Sequence, residues 1–168
     1  MNKVLSTLFV FIFCLSTISQ TKDEALRDAK KTAKATLDSD FKTVLKYTYS
    51  PVLEMMGGKE KALEMISKTM STMKSQGFEF KSAEVISASK IVNEQDQYRC
   101  FIKNSYIMTF NGQKITSEAY LLGIYNKNEK IWTFIEAKQL ANPAMSQVLP
   151  NFKTELVIPQ GKMSTEKI

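Results

Sequence analysis

Apolar residues recur at helical spacing through the first half of the chain and at alternate positions through the second half. The first helical repeat consists of residues three or four positions apart, namely Ala25, Leu26, Ala29, Ala33 and Leu37. Thr21 and Glu24, three residues apart, form a capping box in which each side chain bonds the backbone N–H of the other residue. The pattern therefore predicts a helix that begins after Thr21 and ends near Leu37.

Three further helices are predicted before the first strand. Asp38-Ser39-Asp40 supplies side chains that cap a short second helix. Pro51 fits the first turn of a third helix, where its missing N–H costs nothing, and Gly57-Gly58 ends that helix. The fourth helix covers residues 59–76, and Gly77 closes it because glycine readily adopts the left-handed conformation.

The apolar repeat changes from 3.6 to 2 after Phe78, which indicates strands of about 78–92, 96–110, 113–126 and 130–138. Asn111-Gly112 is the strongest short signal of a two-residue hairpin, and it joins the second strand to the third. The order of helices followed by strands predicts an α+β fold, with N-terminal helices packed in the concave face of a curved four-stranded antiparallel sheet.

The Asn-Gly corner also fixes which side chains share a face. It places Phe110 opposite Gln113, and this pair sets the register of the two strands. The pairs that then share one face are Met108 with Ile115, Tyr106 with Ser117, Asn104 with Ala119, Ile102 with Leu121 and Cys100 with Gly123. A short even-numbered loop around residues 128–129 keeps this parity and adds Trp132, Phe134 and Glu136 to the same face. We expect this apolar face to meet the helices.

The first residues are typical of a signal peptide. Lys3 gives a positive start, and the run from Val4 to Ile18 carries no charge. This run is shorter than the roughly 20 residues that a membrane-spanning helix needs, so we expect cleavage after Ser19 and no stable membrane insertion. The prediction is a signal peptide at 1–19, a domain at 20–140, a C-terminal extension at 141–168 with a disordered end, and export to the periplasm or the medium.

The order of elements resembles the nuclear transport factor 2-like superfamily, whose α+β fold is a cystatin-like cone. The likeness covers about residues 22–138 and rests on the Gly57-Gly58 helix break, the Gly77-Phe78 entry to the sheet and the Trp132-Thr133-Phe134-Ile135 last strand. It implies a sheet curved around helices, as in small exported bacterial members of the superfamily. It implies no single activity, because the cone hosts isomerases, dehydratases, hydrolases and noncatalytic proteins.

Composition excludes several chemistries. The chain has no histidine, which rules out histidine-dependent triads and zinc helices of the His-Glu-x-x-His type. Cys100 is the only cysteine outside the signal peptide, and on an apolar strand its thiol should stay protonated and inert. The net charge of +6 is spread along the chain, so we expect no nucleic-acid partner.

No cofactor or metal site is expected. Five methionines crowd the third and fourth helices, namely Met55, Met56, Met65, Met70 and Met73. Such clusters bind Cu(I) in some exported proteins. Their helical spacing with Leu63 and Ile66 favours the core instead.

The candidate pocket residues are those that the parity argument turns toward the helices, together with one helical tyrosine: Tyr47, Tyr98, Asn104, Tyr106, Trp132, Phe134 and Glu136. Glu136 is the candidate general base, because burial beside aromatic rings would raise the pKa of its carboxyl group. The alternative is a surface carboxylate or a partner for a lysine. Asn104 and Tyr106 either orient a polar group of a ligand or bond to each other.

The opposite face of the sheet carries an apolar patch formed by Phe101, Ile107, Tyr120, Leu122 and Ile124, and we expect a homodimer through it. The function predicted from the sequence is an exported, noncatalytic domain that binds a small apolar ligand or dimerises. The alternative is an isomerase or lyase that uses Glu136 as its base.

Overall fold

The structure is a computed structural model that describes residues 21–168, so the predicted signal peptide lies outside the described residues. The helices are α1 (Lys22–Leu37), α2 (Phe41–Lys46), α3 (Ser50–Met55), α4 (Lys59–Ser75) and α5 (Met145–Val148), with a 3₁₀ turn at Ala137–Ala141. The strands are β1 (Glu79–Ala88), β2 (Val92–Glu94), β3 (Gln97–Phe110), β4 (Gln113–Asn126), β5 (Ile131–Glu136) and β6 (Lys162–Lys167). None of the helices within residues 21–168 is long and apolar enough to span a membrane.

The α+β class is confirmed, and the sheet is open and antiparallel with six strands rather than the four predicted. Its main order is β1-β3-β4-β5, while β2 also pairs with β3 and β6 with β4. The predicted first strand is divided because the chain leaves the ladder at Ser89. The Ser89 hydroxyl accepts the backbone N–H of Phe101 at 2.9 Å and donates to the carbonyl of Lys90 at 2.7 Å.

The predicted register of β3 and β4 is confirmed throughout. Phe110 pairs with Gln113, Asn104 with Ala119, and the ladder continues to Arg99 opposite Ile124. Asn111 and Gly112 have φ angles of 48° and 71°, the positive values that a two-residue hairpin turn requires.

Helix α1 packs against the inner face of the sheet through small residues. Ala25 and Ala29 are buried in one cluster with Trp132 and Phe134, so the prediction that these aromatic residues face the helices is confirmed. Alanine brings the helix axis close to the strands because it occupies little space between them. The residue that follows α2 also bonds the sheet: the Phe134 N–H of β5 donates to the Tyr47 carbonyl at 2.8 Å.

A buried carboxylate ties α1 to β5. Asp28 is fully buried, and its Oδ2 accepts the backbone N–H of Trp132 at 3.1 Å. Its Oδ1 is 3.0 Å from the guanidinium of Arg27 and 3.4 Å from Nζ of Lys31. These two cations compensate the charge of a carboxylate that would otherwise be costly to bury. Asp28 thereby satisfies a main-chain donor on the edge of β5 that faces away from β4.

Three of the five residues of the predicted apolar patch on the outer face are buried within the chain, so they do not form the open surface expected for a homodimer. Leu122 and Ile124 are almost fully buried, and Tyr120 is 8% exposed. The C-terminal extension covers Leu122 and Ile124 with residues of the same chain, namely Met145, Val148, Leu149 and Leu156. A homodimer stays a prediction, but these residues do not provide an open surface for it. Their pattern predicted an apolar face without revealing what covers it.

Arg99 fastens this extension to the sheet. It is 2% exposed, and its guanidinium donates to Oε1 of Gln97 at 2.6 Å and to the carbonyl of Lys153 at 2.9 Å. The guanidinium also lies 4.9 Å from the ring centroid of Phe152 and 3.6 Å from Oε2 of Glu94. The planar, five-donor group can hold several partners at once, which an ammonium group could not do in the same geometry.

Two further expectations are corrected. The end of the C-terminal extension is predicted to be disordered, but Lys162–Lys167 pairs with Gln113–Glu118 of β4. All six residues of β6 are exposed, so it lacks the alternation of buried and exposed residues that reveals a strand in a sequence.

Met55 and Met65 are 47% and 48% exposed, and the interpretation of the methionines as core residues is wrong for these two.

Replacing Asp28 with alanine should lower the free energy of unfolding by about 1–3 kcal/mol, because the Trp132 N–H loses its acceptor in a buried place. Asp28→Asn should lower the free energy of unfolding by less than Asp28→Ala does, since the amide oxygen can still accept the hydrogen bond from the Trp132 N–H. Urea unfolding measures both changes. Asp23→Ala, which removes an exposed carboxylate from the same helix, is the matched control. Equal losses in Asp28→Ala and Asp23→Ala would contradict the role assigned to Asp28.

Candidate functional site

A pocket of about 270 Å³ lies between the helices and the inner face of the sheet, and we call it the inner pocket. Its lining combines aliphatic and aromatic side chains with hydroxyl, carboxylate and amide groups: Thr32, Thr36, Val44, Tyr47, Thr48, Val52, Tyr106, Leu121, Phe134, Ile135, Glu136 and Gln139. A cavity of this size, mostly apolar with a few polar groups, is slightly smaller than the roughly 300–1,000 Å³ typical of ligand sites.

Helix α1 contributes Thr32 and Thr36, which follow Asp28 at intervals of four residues and therefore share its side of the helix. The Thr32 hydroxyl donates to the carbonyl of Asp28 at 3.0 Å, and the Thr36 hydroxyl donates to the carbonyl of Thr32 at 3.0 Å. Because each proton is used within the helix, these hydroxyl groups can act only as acceptors toward a ligand.

The sheet contributes a hydrogen-bonded pair. The Asn104 side-chain amide donates to the Tyr106 hydroxyl oxygen at 2.9 Å, which confirms the alternative that these two residues bond to each other. Burial raises the pKa of Tyr106, and the negative charge of Glu136 adds to the rise. The hydroxyl therefore keeps its proton, and among the described residues that proton has no recorded acceptor. Tyr106 therefore offers the inner pocket a hydroxyl proton that a ligand could accept.

Glu136 lies at the rim of the inner pocket rather than deep inside it. Its side chain is 37% exposed, and its Oε1 is 2.7 Å from Nζ of Lys138. The structure therefore gives Glu136 the lysine partner that was one of its two predicted environments. An ion pair at a partly exposed position leaves the carboxylate less available for proton transfer than a buried, unpaired one.

Four of the seven predicted pocket residues line the inner pocket, namely Tyr47, Tyr106, Phe134 and Glu136. Trp132 is fully buried and packs edge to face on Tyr125, with ring centroids 5.6 Å apart. Tyr98 packs against the same inner core. Asn104 supports Tyr106 from behind, and its own Oδ1 is buried without a hydrogen-bond partner among residues 21–168.

Cys100 is excluded as a nucleophile. It is fully buried, and burial raises the pKa of its thiol to about 12. The prediction of a protonated and inert thiol is confirmed, because almost no thiolate exists near neutral pH.

Sequence reasoning missed the contribution of α1 to the site. Asp28, Thr32 and Thr36 lie four residues apart, directly beside the alanine positions of the predicted inner face. A polar stripe that adjoins an apolar stripe on one helix indicates side chains at the border of a core. That signal is present in the sequence of α1.

A second, larger cavity of about 720 Å³ lies at the sheet edge under the C-terminal extension, and we call it the edge cleft. Glu136 lines both cavities, so the two are adjacent.

Comparison of the chain with protein-family models, with curated proteins and with solved structures finds no match.

Tyr106→Phe should lower the free energy of unfolding by about 1–3 kcal/mol, because the buried amide of Asn104 loses its remaining side-chain partner. The double variant Asn104→Leu with Tyr106→Phe should recover most of this loss, since apolar groups of similar shape then fill the same space. Urea unfolding of Tyr106→Phe, Asn104→Leu and the double variant is the measurement. A double variant as unstable as the sum of the two single variants would contradict the pairing.

Proposed function

We propose that the protein is an exported, noncatalytic domain that binds a small, largely apolar ligand in the inner pocket. The observation that supports this proposal is a cavity of about 270 Å³ between the helices and the sheet that is lined in part by Tyr106. Tyr106 accepts a bond from Asn104 and keeps its own proton, so it can donate to one acceptor atom of a ligand.

The lining favours a specific ligand chemistry. Val44, Leu121 and Phe134 offer apolar contacts, while the threonines on α1 offer only acceptor oxygens. A compact molecule with an apolar body and one carbonyl or hydroxyl oxygen matches these groups. Strongly charged ligands match them poorly, because the rim carboxylate of Glu136 is already paired with Lys138.

The proposed architecture is the cone of the nuclear transport factor 2-like superfamily. Its support is the element order, in which four helices precede an antiparallel meander, and the packing of α1 and the end of α2 on one face of the sheet. The added outer layer, built from the C-terminal extension, would be a departure from a bare cone.

The proposal of export rests on the charge-free run from Val4 to Ile18. If the protein is exported, N-terminal sequencing of material recovered from the periplasm or the medium should give Gln20 as the first residue. A chain that stays in the cytoplasm with Met1 intact would contradict export and leave the ligand proposal unaffected.

Thr36→Phe should abolish ligand binding, because the new ring occupies the inner pocket from a half-buried position on α1. Mass spectrometry of small molecules that copurify with the protein identifies a natural ligand. Acetophenone, an aromatic ring with one carbonyl acceptor, is the probe for NMR titration. Thr72→Phe is the matched control, since Thr72 is an exposed helical threonine that also donates to the carbonyl four residues earlier.

The second candidate function is an isomerase or lyase, favoured by the presence of Glu136 and Tyr106 in one pocket. Under that hypothesis Glu136→Gln should abolish turnover of the copurifying molecule. Under the binding hypothesis the same variant should leave affinity within about threefold, because exposed ion pairs contribute little. Acetophenone binding that persists in Thr36→Phe would contradict both hypotheses, since each requires an accessible inner pocket.

A further inference from the structure

The edge cleft of about 720 Å³ lies where three parts of the chain meet. Its lining comes from β4 at residues 117–120, from the end of β5 with the 3₁₀ turn, and from the C-terminal extension with the start of β6. Its volume falls within the roughly 300–1,000 Å³ typical of ligand sites. Glu136 is the one residue that it shares with the lining of the inner pocket, so the edge cleft is a second site.

The C-terminal part of the chain gives the edge cleft an apolar side. Leu156 is buried in the outer cluster, and Leu140 and Phe152 pack partly buried against the same cluster. Met163, at the start of β6, lines the cleft while 70% exposed. These side chains offer apolar surface that a hydrocarbon chain would remove from water. The lining therefore favours an occupant with a substantial apolar part.

The charged groups of the edge cleft leave one cation without a partner. Glu118 is 2.7 Å from Nζ of Lys103, which lies outside the lining, and Glu136 is 2.7 Å from Nζ of Lys138. Lys162 also lines the cleft, and it forms no ion pair with a carboxylate in the described part of the chain. Because both glutamates already have a lysine, the cleft carries one surplus positive charge.

Gly161 determines where that cation lies. A Cβ at this position would be 2.6 Å from the carbonyl oxygen of Glu118, so only glycine lets the chain pass this close to β4 just before Lys162. The pKa of Glu118 is lowered chiefly by its hydrogen bond from Lys103, with a smaller contribution from the positive charge of Lys162. The ammonium group of Lys162 therefore lies near Glu118, on the same side of the cleft as Met163.

We propose that the edge cleft binds a single-chain amphiphile with one negative charge, of the chemical class of the medium-chain fatty acids. The carboxylate accepts hydrogen bonds from the ammonium group of Lys162 and balances the surplus charge. The hydrocarbon chain covers Met163 and packs on Phe152 and Leu156. A small hydrated anion lacks the apolar part, and an uncharged hydrocarbon leaves Lys162 without a partner. This binding is independent of the ligand proposed for the inner pocket.

The first test compares ligands, so the folding of a variant does not affect its outcome. In an NMR titration of the ¹⁵N-labelled protein, decanoate should shift the amide resonances of Lys162 and Leu156. Octanoate should bind about fourfold to fifteenfold more weakly, because it buries up to two fewer methylene groups. Decyltrimethylammonium, which has a chain of similar length and a positive head group, should bind at least about fivefold more weakly than decanoate.

A charge variant locates the head group of the amphiphile. Lys162→Gln should weaken decanoate binding about threefold to fivefold, because an ion pair at an exposed position contributes modestly. Lys162→Arg should retain the affinity, since it keeps the charge. Lys167→Gln is the matched control, because it removes the same charge from an exposed position of the same strand outside the cleft lining. It should change the affinity by less than about twofold, since solvent screens a distant charge.

A space-filling variant locates the hydrocarbon chain. Ala141→Phe, at an exposed position that lines the edge cleft, should weaken decanoate binding at least about tenfold. Val157→Phe, at a position 86% exposed and outside the lining, should have no effect, and Thr36→Phe, which fills the inner pocket, should have none. Unshifted resonances at millimolar decanoate, equal affinity for decanoate and decyltrimethylammonium, or equal losses in Lys162→Gln and Lys167→Gln would overturn the proposal. Unchanged binding in Ala141→Phe, or loss of binding in Thr36→Phe, would also overturn it.

Discussion

The two-residue turn at Asn111-Gly112 is the constraint on which the sheet depends. Both residues adopt positive φ angles, and the turn leaves no freedom in the pairing of β3 with β4. A shift by one residue would exchange the two faces, placing Cys100, Ile102 and Asn104 outside. The inner core, the inner pocket and the outer layer would all lose their partners. Among residues 21–168 the longest ladder therefore begins at a loop of only two residues.

Much of the fold could be predicted because local signals agreed with the tertiary structure. Caps at Thr21 and Asp40 and the glycines at 57, 58 and 77 mark helix ends that the structure retains. The hairpin turn gave the register, and parity gave the inward direction of Trp132 and Phe134. The alternation of side chains along a strand predicts which face a residue lies on, but it does not predict where on that face the residue lies. Asn104 and Trp132 face inward as expected, yet one supports the pocket from behind and the other fills the core.

The parts that escaped prediction share a physical cause, since each depends on a partner distant in sequence. The carboxylate of Asp28 bonds a main-chain group 104 residues away, and a polar residue in a helix gives no sign of such a partner. Strand β6 is held by main-chain pairing and has no buried side chains, so it leaves no periodic pattern. The apolar outer face was recognised correctly, but periodicity cannot distinguish cover by a second copy from cover by the same chain.

The C-terminal layer has a consequence for how the molecule is completed. Ribosomes release a chain from its N-terminus onward, so Leu122 and Ile124 emerge before Leu149 and Leu156, which later cover them. Until those later residues pack on them, the side chains of Leu122 and Ile124 lack the apolar cover that they have in the folded protein. The later segment then packs over that face, and Arg99 holds it through a hydrogen bond to the carbonyl of Lys153.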